Sequence, residues 1–251
     1  MPDAIGVQLF TVREQLEADY AGTLKRIAEI GYHGIELGPF DLATIVEHRE
    51  WVRRLDLKTI GCHALLEQLT IGVDGLVRSL HEMGGEYVAL SSRFQTMEEI
   101  KRAALLFNQI GKQLKEQGIR FLYHHHDWEL AQIEGKAMLD WLIEWTDSEW
   151  VGFELDTYWL ARGGADPVTY IGRLQNRCPV LHIKDMEAGK EAFFSEIGEG
   201  VLDFNAIFAA AEASGVQWMT VEQDACRRNP LDSLALSYFN LTRMGLAPAA
   251  R

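Results

Sequence analysis

Residues 151–156 read VGFELD and residues 180–184 read VLHIK, and what these two short runs share decides the fold. Each opens on apolar residues and closes on polar ones set two apart: Glu154 and Asp156 in the first, His182 and Lys184 in the second. Side chains two apart on an extended strand point to the same face. Each run therefore reads as a strand that sends a pair of reactive groups to one side near its C-terminal end. WMTVEQD at 218–224 repeats the pattern with Glu222 and Asp224.

Working outward from Val151 to Asp156, Val180 to Lys184 and Trp218 to Glu222, five more β-rich runs occupy Ile5 to Phe10, Gly34 to Leu37, Thr59 to His63, Tyr87 to Ser91 and Arg120 to His126. The segments between them carry helical spacing, for example Leu24, Ile27 and Ala28, then Leu76, Val77 and Leu80, then Ile207, Phe208 and Ala211. Thr96 with Glu99 forms a capping box, Asp166-Pro167 suits a helix start, and Gly31, Gly118 and Gly215 suit helix ends. Eight alternating strand-helix units of roughly 30 residues, joined by right-handed crossovers, predict an α/β chain closed as a single (β/α)8 TIM barrel. A doubly wound open sheet is the competing architecture. No linker marks a second domain, so residues 1–251 are expected to form one barrel domain.

With 47% apolar and 24% charged residues, the chain has the material for a large core and does not read as disordered. Subtracting 37 acidic from 24 basic side chains leaves a formal charge of −13, which repels polyphosphate and argues against a nucleic-acid partner. Cys62, Cys178 and Cys226 are odd in number and lack CxxC spacing, which indicates neither a disulfide framework nor a thiolate zinc site and fits a reducing cytoplasm. MPDAIGVQLF runs directly into a strand-like stretch, and no apolar segment approaches about 18 residues, so neither secretion nor membrane insertion is expected.

In a barrel of this kind the reacting groups gather at the C-terminal ends of the strands. There stand His63 on the third strand, His124 and His126 on the fifth, Glu154 and Asp156 on the sixth, His182 and Lys184 on the seventh, and Glu222 and Asp224 on the eighth. One histidine or glutamate at a strand end is ordinarily a hydrogen-bonded core or surface residue. Convergence from consecutive strands is what makes a site, and oxygen and nitrogen ligands without thiolate suit Mn²⁺, Mg²⁺, Co²⁺ or Zn²⁺.

Taken in order, IGVQLFTVRE, GYHGIELG, YHHHDWEL, GFELDTYWLARGGADP, LHIKDM, IGEGVLDF and VEQD resemble the sugar phosphate isomerase/epimerase group of the xylose-isomerase-like barrels over nearly the whole chain. In that family Glu, Asp, His and Glu from strands five to eight usually hold one divalent metal ion. The resemblance implies His124 (or His126, if the register slips), Asp156, His182 and Glu222 as the matching positions. The strand-five position departs from the pattern, offering imidazole where relatives often have a carboxylate, and this puts the epimerases' two-carboxylate proton transfer in doubt. Trp159 stands where relatives often carry His, as an apolar platform for a sugar face or as rim packing.

The chemistry so implied is isomerisation or epimerisation of a sugar, keto-sugar or sugar phosphate through a metal-stabilised enediolate. Glu222 is the leading acid/base group, with His124, His126 or Glu129 as its partner on the opposite face. Lys184 neutralises the intermediate, Glu36 and His63 meet substrate hydroxyls, and Asp185 orients His182 or helps neutralise charge. Arg227, Arg228 and Lys190 fall in the loops after strands eight and seven, where barrels of this kind often bind phosphate. The nearest rival is a keto-sugar or inosose dehydratase, followed by a non-catalytic sugar-binding barrel. An endonuclease IV type of nuclease is disfavoured by the acidic balance and missing ligands. Trp51, Trp141 and Trp145 pack on the barrel or build a homo-oligomer contact.

Overall fold

The computed structural model describes residues 5–38 and 45–247. Residues 1–4, where the N-terminal stretch read above begins, and the tail after residue 247 lie outside them. Eight parallel strands close a barrel: β1 (Ile5–Gln8), β2 (Gly34–Leu37), β3 (Lys58–His63), β4 (Tyr87–Leu90), β5 (Arg120–His124), β6 (Val151–Asp156), β7 (Val180–Ile183) and β8 (Trp218–Val221). Each pairs with the next, and β8 pairs with β1, so the barrel itself has no edge strand. All eight strands lie where the apolar runs predicted them.

Several strands end sooner than the sequence pattern suggests. β1 stops at Gln8 because the chain turns into a 3-10 helix, Leu9–Val12, whose Phe10 N–H donates to the Gln8 side chain at 3.1 Å. β4, β7 and β8 stop before Ser91, Lys184 and Glu222, which continue the inward alternation just past the last ladder residues, and β5 stops at His124. Helix starts follow the caps. Thr96 and Glu99 exchange hydrogen bonds at the head of Met97–Glu116, and Asp166 accepts from Thr169 N–H at the head of Pro167–Arg173. Gly118, at φ +78°, takes the left-handed turn after the first of these helices, where a side chain would be strained.

Alternation along the strands divides the core in two. Outward residues such as Val7, Ile35, Phe121, Phe153, Leu155, Leu181 and Val221 pack under the helices. Inward residues Ile60, Tyr87, Ala89, Leu122 and Val180, with Trp218 against them, plug the barrel near its strand starts. Trp141 and Trp145 stack on each other at 4.8 Å, and with Trp51 they pack against this chain's own core. Among the described residues no helix is long and apolar enough to cross a membrane, and all three cysteines are free thiols.

One strand breaks the alternation. Ile35 pairs with Thr59 but Glu36 pairs with Gly61, leaving Ile60 as an extra residue in β3. This bulge resets the phase, so that Ile60 enters the apolar plug, Cys62 joins the outer core and His63 turns toward the barrel mouth. Gly61 is required there because a Cβ would sit 2.2 Å from the Tyr87 carbonyl oxygen.

Candidate active site

Above the apolar plug the barrel interior turns polar in two tiers. The lower tier comes from Glu36, His63, His124, Glu154 and His182. Glu154 Oε2 is its hub, with His63 Nε2 at 2.8 Å, His124 Nδ1 at 3.1 Å and His182 Nε2 at 3.4 Å. Glu36 reaches His182 Nε2 at 2.8 Å and His63 Nε2 at 3.3 Å. Burial disfavours charge on all of them, and the groups sort themselves by contact. Burial and then the Glu36 charge push the Glu154 carboxyl up to about 7. Burial would also raise Glu36, but His182 and His63 outweigh it and hold that carboxyl well below the usual range. Burial, then His182 and His63, keep His124 well below the ordinary imidazole value.

The upper tier is built around a cation. Lys184 Nζ lies 3.0 Å from Asp156 Oδ2, 2.8 Å from Glu222 Oε2 and 2.8 Å from Asp224 Oδ2. Burial works against the ammonium, yet these three carboxylates raise its pKa well above the lysine value. In return, although burial alone would raise Glu222, the Lys184 charge and His182 hold that carboxyl below its usual range. His182 spans both tiers, with Nε2 toward Glu36 and Nδ1 2.9 Å from Glu222 Oε2.

The structure thus brings Asp156, His182, Glu222 and Lys184 together, and it moves other predicted residues elsewhere. His124 was expected beside Asp156. The register sets His124 opposite Glu154 and Asp156 opposite His182, so His124 belongs one tier lower. Glu36, expected at substrate hydroxyls, is buried in that lower tier against two imidazoles. Glu129, expected as an acid/base partner, is fully buried and accepts from Tyr123 OH at 2.5 Å and His126 N–H at 2.9 Å, which fixes the chain after β5. Asp185, expected near substrate or His182, turns into the following loop and accepts N–H bonds from Met186, Gly198, Gly200 and Leu202.

His63, His124 and His126 line a cleft of about 200 Å³ at the mouth, together with Phe10, Glu222 and Asp224. His126 stacks on Trp128 at 3.9 Å and lies 5.3 Å from the Trp159 ring, which in turn stands 5.6 Å from Lys184 Nζ. Burial, then Lys184, pushes His126 down to about 3, so its ring is neutral at ordinary pH. Arg227 is held by Glu187 and Glu191, and Arg228 by Glu196, so neither arginine is unmatched. Three residues, Glu154, Asp224 and His125, were given no role from sequence. Glu154 carried a signal, its two-residue spacing from Asp156. His125 carried none, yet it straps β5 to β6 by accepting the Asp156 N–H at 3.1 Å.

A family model described as Xylose isomerase-like TIM barrel matches residues 24–236. The chain belongs to this family. Among curated relatives, the inosose dehydratase of Lacticaseibacillus casei is 28% identical over 210 residues, covering 76% of this chain and 66% of that protein. The chain spans about two thirds or less of the length of the first such relatives. Among solved structures, a sugar phosphate isomerase/epimerase from Parabacteroides distasonis superposes with a TM-score of 0.84 at 24% identity, covering 100% of this chain and 96% of that one. An IOLI protein with a bound zinc atom superposes with a TM-score of 0.73 at 15% identity, covering 99% of each chain. At such identities these two establish the fold alone.

The side chains of this xylose isomerase-like barrel fit a divalent ion. Among the described residues, His63 Nε2, His124 Nδ1, Glu154 Oε2, Asp156 Oδ2 and His182 Nδ1 are buried and make ion-pair contacts in these tiers without a well-formed hydrogen bond. Buried polar atoms without a well-formed hydrogen bond are uncommon, and a cluster of such ligand types is what a cation would satisfy. Asp156, His182 and Glu222 place ligand atoms within 4.8 Å of one another. The contact from His182 Nε2 to Glu36 is of the kind that orients an imidazole toward a metal, and it would leave Nδ1 to face the ion.

Proposed function

We propose that this barrel is a metal-dependent lyase, which removes the proton beside the carbonyl of a small polyhydroxy ketone, an inosose or keto-sugar, and expels the neighbouring hydroxyl as water. The observation that carries the reading is the buried Lys184 ammonium held against Glu222, Asp156 and Asp224 at the cleft. Likeness to the inosose dehydratase of Lacticaseibacillus casei supports it.

Asp156, His182 and Glu222 would hold the ion, with Glu36 bracing His182. The chemistry a divalent ion would supply there is Lewis-acid polarisation of the ketone oxygen, which would acidify the adjacent C–H. Glu222, kept ionised by Lys184 and His182, accepts the carbon-bound proton. Electrons of the broken C–H bond form the C=C bond as the neighbouring C–O bond breaks. Lys184 gives its proton to the departing oxygen, which leaves as water. The proton on Glu222 and the one Lys184 has lost are then equalised through Asp224, whose side chain is 29% exposed to solvent. His126 and Trp159 wall the cleft and exclude water from the reacting face.

Reversible epimerisation needs matched acid/base groups on both faces of the carbon. Here one face has Glu222 and Lys184, and the other has His124 and His126, imidazoles that burial keeps neutral. That asymmetry favours one-way proton removal and elimination. The engaged state of Arg227 and Arg228 favours an unphosphorylated substrate.

A panel of inososes and ketoses, incubated with Mn²⁺- or Zn²⁺-loaded protein in deuterated water, tests the reading by mass spectrometry. Loss of one water, abolished in Glu222→Gln, is the expected result. Solvent-deuterium uptake without loss of water would make the protein an isomerase or epimerase. Neither change with any substrate, at confirmed metal loading, would defeat both.

A further inference from the structure

The lower tier is more than a brace for the upper one. Its atoms have the composition and spacing of a second cation seat: two imidazole nitrogens and a carboxylate oxygen, each buried and each without a well-formed hydrogen bond. The contacts at the Glu154 hub, 2.8 Å to His63 Nε2 and 3.1 Å to His124 Nδ1, gather the three ligand atoms around one point. Tetrahedral zinc with bonds near 2.0–2.1 Å holds its ligand atoms about 3.3 Å apart, so the three need only small outward shifts to accept one. Among the described residues no ammonium or guanidinium lies within ion-pair distance of Glu154, whereas the upper tier already has Lys184. Access is open, since His63 is 18% exposed and lines the cleft.

We propose that His63 Nε2, His124 Nδ1 and Glu154 Oε2 form a second divalent-metal seat, distinct from the Asp156–His182–Glu222 set and selective for zinc. Two imidazoles and one carboxylate are a ligand set that zinc takes with water in the fourth position, while oxygen-rich sets suit Mn²⁺ and Mg²⁺ better. His182 keeps Nε2 on Glu36 and Nδ1 for the upper ion, so no nitrogen is shared. The seat does not depend on which reaction the upper tier performs.

Zinc titration of chelator-stripped protein by calorimetry, with elemental analysis after desalting, tests it. The native chain should take two equivalents, and His63→Asn and Glu154→Gln one each. Asp156→Asn should also take one, retained at the lower seat. Co²⁺ substitution adds an independent signal: intense visible absorption of four-coordinate cobalt, present in native protein and Asp156→Asn and absent from His63→Asn. Circular dichroism identifies variants that retain the fold, and Glu154→Gln stands in should His63→Asn fail to fold. A native stoichiometry of one, or two equivalents retained by both lower-tier variants, would overturn the proposal. Failure of the upper site reads differently, as Asp156→Asn binding as much metal as the native chain.

Discussion

Without the Lys184 ammonium, Asp156, Glu222 and Asp224 would face one another uncompensated across a few ångströms. Lys184→Met should therefore move two properties in opposite directions. Turnover should fall by about 10²–10⁴-fold, the usual worth of a positioned proton donor, while Mn²⁺ binds more tightly because its competing cation is gone. Calorimetry beside a turnover assay decides it, and a variant that loses both metal and activity would count against the assignment. Glu36→Gln should weaken the upper ion by about 10–100-fold through His182, read in a chelator competition, with KM for substrate little changed because Glu36 lies beneath the cleft. The sequence made Asp156, His182, Glu222 and Lys184 legible because each ends a strand two residues from another polar group. Glu129 and Asp185 were misplaced because nearness to a strand end does not say which way a side chain turns once the ladder stops.

Elements supply the stiffness that these residues need. Asp185 accepts from four loop N–H groups spread over residues 186–202, so Asp185→Ala should lower stability by about 3 kcal/mol, measured by urea unfolding, and loosen that segment. A second element, the helix Ile45–Arg54, carries His48 into the core, where its Nδ1 meets Tyr20 OH at 2.5 Å and its Nε2 meets Thr59 Oγ1 at 3.2 Å. Burial pushes His48 from 6.5 down to about 4. Between these values the unfolded chain binds the proton and the folded one does not. His48 therefore supports the fold fully above pH 6.5, and that support drains away as pH falls toward 4. From pH 7 to pH 5 the loss is about 2 kcal/mol, and in His48→Asn the fall in unfolding free energy over that interval should shrink by that amount. Strand positions were readable from apolar runs and helix starts from caps. Strand ends were not, because inward alternation continues through Ser91, Lys184 and Glu222 after the ladder hydrogen bonds cease.

Across the whole molecule, closure by β8 onto β1 makes the polar tiers a shared property of all the strands around them. Metal held there should stabilise the folded chain alone, by about 2.7 kcal/mol at a hundredfold excess over Kd. Addition of a chelator should lower the melting temperature of the native protein, and the shift should shrink in Asp156→Asn. The eightfold alternation made the barrel legible, whereas the bulge at Ile60 was hidden, because one surplus residue leaves the apolar pattern of β3 intact. That surplus sets which donor the third strand delivers. Counted as regular alternation from Ile60, the next inward position is Cys62, and His63 would lie among the helices. Pairing without the bulge at full strand length would thus exchange an imidazole for a thiol at the floor of the cleft and change the metals it favours, whereas deletion of Ile60 itself would leave Gly61 opposite Glu36 and keep His63 facing the mouth.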